Sequence, residues 1–169
     1  GQDSIDRGAR ASVIGLLLVV LAVALYYRMS GVYAAIALTV NLLLLAAVMT
    51  LFGATLTLPG IAGLVLTVGM AVDANVIIFE RIREELRVGK SVRAAVATGF
   101  DKAFWTVVDA NVTTLITALV LYEFGTGPIK GFAVTLSIGI VTSVFSALVV
   151  TRLLFHIYPG SRKTGELSI

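Results

Sequence analysis

A five-residue stretch, VDANV, occurs twice in this sequence, at Val72–Val76 and Val108–Val112. Each copy places an aspartate and an asparagine two residues apart in strongly apolar surroundings. A charged side chain inside a membrane costs at least ~2.5 kcal/mol, and such residues are typical of ion pathways and proton relays. The two aspartates, Asp73 and Asp109, are therefore the residues whose chemistry must be explained first.

Asp73 could serve a cation site, a proton relay or a structural ion pair. A structural pair requires a basic partner, and the apolar segments contain no lysine or arginine well inside them. The carboxyl is therefore protonated, hydrated or paired with a residue of another chain. Removal from water favours the protonated form of a carboxyl, which is the property that a proton relay needs. We expect Asp73 to be the primary ion-relay residue and to face the bundle interior or a water-filled cavity.

Asp109 is the secondary candidate for the ion relay. It lies about 10 Å along its helix from Lys102, and Asp73 lies about 12 Å from Arg81. The two carboxyls are therefore expected at similar depth on antiparallel helices. Asp109 is also expected near the start of its helix, where capping and the helix dipole favour a carboxylate. Two roles fit it: a structural cap, and the cytoplasmic side of the relay.

Other polar side chains accompany the aspartates. Asn75 and Asn111 each point about 200° round the helix from the neighbouring aspartate, so we expect them to form interhelical hydrogen bonds. Thr113 and Thr117 continue a polar stripe from Asp109 at intervals of one turn. This stripe either lines an ion pathway or has hydroxyls that bond back to helix carbonyls.

The elements that position these residues are membrane-spanning helices. The chain is 58% hydrophobic and 14% charged, with a mean hydropathy of +0.99, whereas soluble domains carry about 25% charged residues. A span needs ~20 mostly apolar residues. The sequence predicts an all-α membrane protein, a polytopic bundle of five transmembrane helices forming a single domain over 1–169. The polar, abrupt start indicates a fragment of a longer chain. The predicted spans are approximately 11–27, 32–52, 58–79, 103–122 and 132–155.

The basic residues predict the orientation of the helices. Of the 13 lysines and arginines, only Arg7, Arg10 and Lys130 fall on one side of the predicted membrane. The positive-inside rule therefore places the N-terminus outside the cytoplasm, and segment 80–102 and the C-terminus within it. Segment 80–102 has apolar residues at helical spacing between charged ones. We expect an amphipathic helix pair, interrupted at Gly89, lying in the lipid headgroup region.

Several function classes are disfavoured by the sequence. It contains no phosphate-binding loop, zinc-protease motif or nucleophile elbow, and no cysteine. His156 is the single histidine, which has no partners for a metal site. We therefore predict that the chain is not an enzyme and uses no cofactor beyond a coupling ion. The basic connection beside apolar spans favours the lipid bilayer as partner and argues against nucleic acid.

Three long stretches carry a family resemblance. GQDSIDRGARASVIGLLLVV (Gly1–Val20), the segment containing GMAVDANV and FERI (Thr57–Ser91), and the segment containing GTGPIKGFA (Val107–Arg152) resemble the SecD/SecF family of the RND superfamily. The resemblance implies helices two to six of a six-helix half, without the first helix or the extracytoplasmic domain. In that family the aspartate of GMAVDAN, here Asp73, is the ion-relay carboxylate. The relay's arginine comes from the SecF half.

The same resemblance implies a function. The chain is expected to be the membrane core of an ion-driven accessory subunit of Sec-dependent protein export, coupled to H⁺ or, in some organisms, Na⁺. The implied location is the inner (plasma) membrane, and the implied partners are SecF, the SecYEG channel, the SecA motor and the translocating preprotein. Two alternatives are half of an RND-type exporter of small hydrophobic molecules or lipids, and a structural translocon scaffold without ion coupling.

Overall fold

The protein is a bundle of long helices. The computed structural model describes residues 1–157 and 167–169, and no strand occurs among them. Five helices, with the last counted from Gly127 to Ile157, are long and apolar enough to cross a membrane. The predicted all-α membrane bundle is therefore confirmed. Arg162 and Lys163, part of the C-terminus assigned to the cytoplasm, lie outside the described residues. The elements are α1 (Gln2–Tyr27), α2 (Met29–Leu51), α3 (Leu58–Arg87), α4 (Val92–Phe124), α5 (Gly127–Phe145), a π-helical turn (Ser146–Val150) and α6 (Thr151–Ile157).

Helices α3 and α4 begin at defined caps. The hydroxyl of Thr57 accepts a hydrogen bond from the Gly60 N–H at 3.1 Å, and Pro59 occupies the first turn of α3. The hydroxyl of Ser91 accepts from the Ala94 N–H at 3.4 Å at the start of α4. Between the two helices Gly89 has a φ of 87°, a left-handed conformation that favours glycine. The break expected at Gly89 therefore falls in a short turn between two long helices.

Segment 80–102 does not form separate helices on the membrane surface. It consists of the end of α3, the turn and the beginning of α4, because its charged residues favour helix and nothing stops the spans at their apolar limits. At 30 residues, α3 is about 45 Å long, more than the ~30 Å of a hydrocarbon core. Ile82, Val96 and Phe100 are buried in the protein core. The apolar face expected to contact lipid is instead covered by packing between the two helical extensions, and the location of the segment at the headgroups stays a prediction.

A buried carboxylate joins these two extensions. The side chain of Glu85 on α3 is 4% exposed and lies 2.5 Å from the Nζ of Lys90. Its other oxygen accepts a hydrogen bond from the Nζ of Lys102 on α4. The ammonium groups of Lys102 and then Lys90 hold the pKa of Glu85 below its ordinary value, against the opposing effect of burial. Glu85 is thus an ionic link across the charged end of the hairpin, beyond the apolar segment.

Helix α3 is the central element of the bundle and packs most closely against α5. It contacts α1, α2, α4 and α5. At Gly139 on α5, an added Cβ would overlap the Cγ2 and Oγ1 atoms of Thr67 on α3. At Gly63 on α3, an added Cβ would lie 3.2 Å from the carbonyl oxygen of Phe132. Small residues allow transmembrane helices to approach closely, and here they fix the position of the helix that carries Asp73.

Replacement of Gly139 by valine should destabilise the bundle, because the new side chain cannot fit between α5 and Thr67. Overpacking of this kind costs about 1–3 kcal/mol, so the melting temperature of the purified protein should fall by several degrees. Gly15→Val is the matched control, since no heavy atom lies within 4 Å of a Cβ at Gly15. Equal melting temperatures for the two variants would show that the α3–α5 contact is not tight.

Glu85→Gln should destabilise the protein at neutral pH but not at low pH. The pKa of Glu85 is lowered in the folded state, so its contribution is present above the ordinary value of 4.5 and is lost as the pH falls through the folded-state pKa. Thermal melts of wild type and variant from pH 7 downward measure the difference, which should shrink below pH 4.5. Glu84→Gln, on an exposed neighbour paired with Arg81 at 3.0 Å, should show a much smaller difference at neutral pH.

Candidate functional site

Asp73 lies on the outer face of α3. Its neighbours Val72 and Ala74 are buried, whereas Asp73 is exposed on the surface of the chain. Within the described residues its carboxyl makes no hydrogen bond or ion pair. The expectation that it faces the interior of this bundle is therefore wrong. The reason is that α3 turns its interior face, through Thr67, Ala71 and Asn75, toward the other helices of the same chain.

Asp109 lies in the middle of a helix and not at its start. Helix α4 begins at Val92 with Ser91 as its cap, so Asp109 is several turns inside it. The helix-capping explanation for Asp109 is wrong, because the cytoplasmic segment was expected to be separate from the span. Like Asp73, Asp109 is exposed, and within the described residues its carboxyl has no partner.

The two carboxyls lie at the same level along the bundle. A Cβ on Gly99 of α4 would lie 2.9 Å from the backbone nitrogen of Ile82 on α3, so these two residues are in register on antiparallel helices. Ten residues further along α4 is Asp109, and ten residues back along α3 is Val72, next to Asp73. The equal depth expected from the sequence agrees with this register.

The two asparagines share one geometry and differ in one bond. Asn75 Nδ2 donates to the Ala71 carbonyl at 3.0 Å, and Asn111 Nδ2 donates to the Val107 carbonyl at 2.7 Å. Asn75 Oδ1 also accepts a hydrogen bond of 2.6 Å from the hydroxyl of Thr151 on α6. The interhelical bond predicted for Asn75 is therefore present. The one predicted for Asn111 is not, and its buried Oδ1 has no partner among the described residues.

The threonines near Asp109 bond to their own helix. Thr113 Oγ1 donates to the Asp109 carbonyl at 3.1 Å, and Thr117 Oγ1 donates to the Thr113 carbonyl at 3.2 Å. Both residues are exposed on the same face of α4 as Asp109. Of the two interpretations of this stripe, bonding back to helix carbonyls is therefore what the side chains do in this chain.

Inside a helix, hydroxyl and amide side chains can find a hydrogen-bond partner on the backbone, whereas an ionised carboxylate cannot. Hydroxyl and amide side chains can donate to the carbonyl one turn back, as Thr113 and Asn75 do. An ionised carboxylate only accepts, and the N–H groups inside a helix are already bonded. Asp73 and Asp109 therefore have two ways to be satisfied: protonation, or a donor or cation from outside the chain. That property suits a group that takes up and releases an ion.

Thr151 and the π-helical turn before it were not found from the sequence. The turn gives an N–H to C=O bond from Thr151 to Ser146, five residues apart, where an α-helix spans four. The Thr151 hydroxyl is fully buried and lies 2.6 Å from Asn75 Oδ1. A threonine in an apolar run carries no sequence signal for this contact, because the rotation that aims it depends on the π turn.

The family model and the similar proteins all point to one family. The family described as "Protein export membrane protein SecD/SecF, C-terminal" matches residues 1–159. The protein translocase subunit SecD of Desulfurispirillum indicum is 57% identical over 169 residues, which is 100% of this chain and 33% of that protein. The SecD subunit of Syntrophobacter fumaroxidans is 56% identical over the whole chain and 32% of its own length. The chain thus spans about a third of the curated relatives.

A solved structure gives the same result in three dimensions. The crystal structure of SecDF, a translocon-associated membrane protein from Thermus thermophilus, superposes with a TM-score of 0.90 at 49% identity. The match covers 93% of this chain and 22% of the SecDF chain. Together with the family match over residues 1–159, this shows that the chain belongs to the SecD/SecF family of protein-export membrane proteins and corresponds to its C-terminal membrane region.

Proposed function

We propose that this chain is the membrane core of an ion-driven accessory subunit of Sec-dependent protein export. In this proposal Asp73 binds and releases the coupling ion, H⁺ or Na⁺, and Asp109 serves as a second carboxyl at the same level. The chain acts in transport and catalyses no reaction of its own. The observation that carries the proposal is the exposed, unpartnered carboxyl of Asp73 on the central helix of a membrane bundle.

The exposure of Asp73 favours a protein partner over that face of α3. A charged group in contact with lipid costs at least ~2.5 kcal/mol, and the outer face of α3 around Asp73 is otherwise apolar, with Val65 and Leu66 exposed. We propose that the SecF half covers this face and supplies a basic group, since none of the described residues of this chain pairs with Asp73. The SecYEG channel, the SecA motor and the preprotein are the further partners that this function requires.

The contacts of α3 suggest how a change at Asp73 reaches the rest of the bundle. Two residues further along the helix, Asn75 is bonded to Thr151 on α6, directly after the π turn. Binding of an ion changes the charge of α3, and the Asn75–Thr151 bond transmits a shift of that helix to the end of the last span. We propose a multi-pass orientation in the inner membrane with the α3–α4 turn in the cytoplasm and the N-terminus outside.

Asp73→Asn should abolish ion-driven export, because an amide neither binds nor releases a proton and is a poor cation ligand. The variant is made in the full-length protein and tested by the export of a reporter protein in cells. Export should fall to the level of cells that lack the protein. Asp73→Glu should retain part of the activity, since it keeps the carboxyl. Repeating the assay with and without sodium distinguishes the two coupling ions.

The control for this experiment is Asp6→Asn, on an exposed aspartate at the outer end of α1, which should leave export unchanged. Normal export by Asp73→Asn would favour a scaffold without ion coupling. Normal export with loss of drug or lipid efflux would favour an RND-type exporter. Both outcomes contradict the proposal.

Thr151→Val should weaken both the protein and its export activity, because it leaves the buried Oδ1 of Asn75 without a donor. The cost of such an unpaired group is about 1–3 kcal/mol, measurable as a lowered melting temperature. Thr151→Ser keeps the hydroxyl and should retain most of the stability. The control is Thr39→Val, which removes an exposed hydroxyl bonded to the Ala35 carbonyl of its own helix at 2.9 Å. If Thr151→Val is as mild as the control in both assays, the bond does not couple α3 to α6.

A further inference from the structure

A groove runs along the seam between α4 and the last span. Two cavities follow each other in it, one of ≈ 470 Å³ toward the charged end and one of ≈ 200 Å³ deeper in the apolar part. Asp101 marks one end of the groove on α4 and Leu115 the other, so it extends about 21 Å along the helix axis. One leaflet of a ~30 Å hydrocarbon core is about 15 Å deep. The groove is therefore about 6 Å longer than the hydrocarbon part of one leaflet.

The charged end of the groove presents one positive and one negative group. Arg152 Nη2 lies 3.6 Å from Asp101 Oδ1, and the two side chains are 47% and 71% exposed. The guanidinium of Arg152 also lies 5.7 Å from the centre of the Phe100 ring, which holds it over the cavity. The nearby Lys102 is already bonded to Glu85. The mouth thus offers a guanidinium and a carboxylate that are loosely paired with each other and exposed to a ligand.

The rest of the groove lies deeper along both helices and is apolar except for Asn111, which also lines the deeper cavity. Trp105 is one turn from Asp101 and is 72% exposed, and Val149 of the π turn is 48% exposed. Exposed tryptophans are typical of the membrane–water interface. The deeper cavity is lined chiefly by Val108, Val112, Leu115, Val141 and Val144. The polar mouth thus corresponds to the position of a lipid headgroup, and the deeper, mainly apolar part corresponds to the position of an acyl chain in the same leaflet.

We propose that this groove is a binding site for a zwitterionic aminophospholipid of the phosphatidylethanolamine class. The phosphate binds the guanidinium of Arg152, the ammonium binds the carboxylate of Asp101, and one acyl chain lies along the seam past Trp105 and Val149. Basic pockets between transmembrane helices on the cytoplasmic side are typical headgroup sites. This site is separate from Asp73 and Asp109, and it does not depend on ion coupling.

Charge complementarity selects this occupant over two others. An anionic lipid such as phosphatidylglycerol offers a phosphate to Arg152 but has no ammonium for the carboxylate of Asp101, so it should bind more weakly. A transmembrane helix of a partner protein would bring an apolar surface to the groove but no anion for Arg152 and no cation for Asp101. A headgroup that carries both charges satisfies both side chains.

The test uses native mass spectrometry of the full-length protein that contains this chain, titrated with phosphatidylethanolamine and phosphatidylglycerol bearing identical acyl chains. Wild type should retain the ethanolamine lipid in preference. Arg152→Gln should lower its affinity about tenfold, as expected for loss of a charge-assisted hydrogen bond. Asp101→Asn should remove the preference between the two lipids. Val149→Trp, which fills the groove, should lower binding of both.

Matched controls separate the site from general effects of charge and size. Arg93→Gln removes an exposed arginine at the same end of α4, and Leu153→Trp enlarges an exposed leucine that does not line either cavity. Both should bind lipid as wild type does. Each variant is first checked for an unchanged elution volume in gel filtration. If Arg152→Gln fails this check, it is replaced by Arg152→Lys, which keeps the positive charge but loses the planar guanidinium.

Two results would overturn the proposal. The first is equal retention of the two lipids by wild type with no effect of Arg152→Gln. The second comes from a photo-crosslinking residue at position 149 in intact membranes. Crosslinking to lipid is expected, and crosslinking to a polypeptide would show that a partner protein occupies the groove.

Discussion

The structure depends on the high cost of leaving a polar group unpaired in hydrocarbon. Nearly every polar side chain in the spans meets this constraint by returning a hydrogen bond to its own helix, as Thr67 does to Gly63 and Thr135 to Gly131. The aspartates cannot form this bond when they are ionised, because a carboxylate has no proton to donate. Among the described residues, the amide of Asn41 and the hydroxyl of Ser146 are also without a partner. The helices can therefore hide hydroxyls and amides within themselves but must expose their carboxylates to something else. Asp73 and Asp109 are thus side chains whose ionised form a helix cannot satisfy by itself.

The sequence was sufficient for the fold class and for the equal depth of the two carboxyls, because both follow from hydropathy and helical rise. It was not sufficient for the face on which Asp73 lies. Periodicity cannot separate a polar residue that faces its own bundle from one that faces a partner, since both interrupt an apolar run in the same way. Nor could it give the start of the helix carrying Asp109, because charged residues continue a helix as readily as they end it.

The repeated VDANV stretch produces the same local structure twice. In each copy the aspartate points out and the asparagine bonds to the carbonyl one turn back, to Ala71 in the first and Val107 in the second. The copies differ in what the asparagine's oxygen meets, which is Thr151 in one case and no described partner in the other. The local motif thus fixes the direction of its side chains. Whether the asparagine oxygen forms an interhelical hydrogen bond depends on the residue that the neighbouring helix places beside it. Because of this asymmetry, the first copy is bonded to the last span through Asn75, and the second copy has no such bond among the described residues.

The π turn at Ser146–Val150 has one consequence for how the last span is divided. A π turn amounts to one extra residue in an α-helix, and each residue advances a helix by about 100°. The side chains beyond it are therefore turned relative to those before it. This rotation sets the direction of both Thr151, which reaches Asn75 within the bundle, and Arg152, which reaches Asp101 on α4. Loss of a single residue from this turn would rotate both away from their partners at once. The interior contact and the outer ion pair therefore depend on the same turn of the last span.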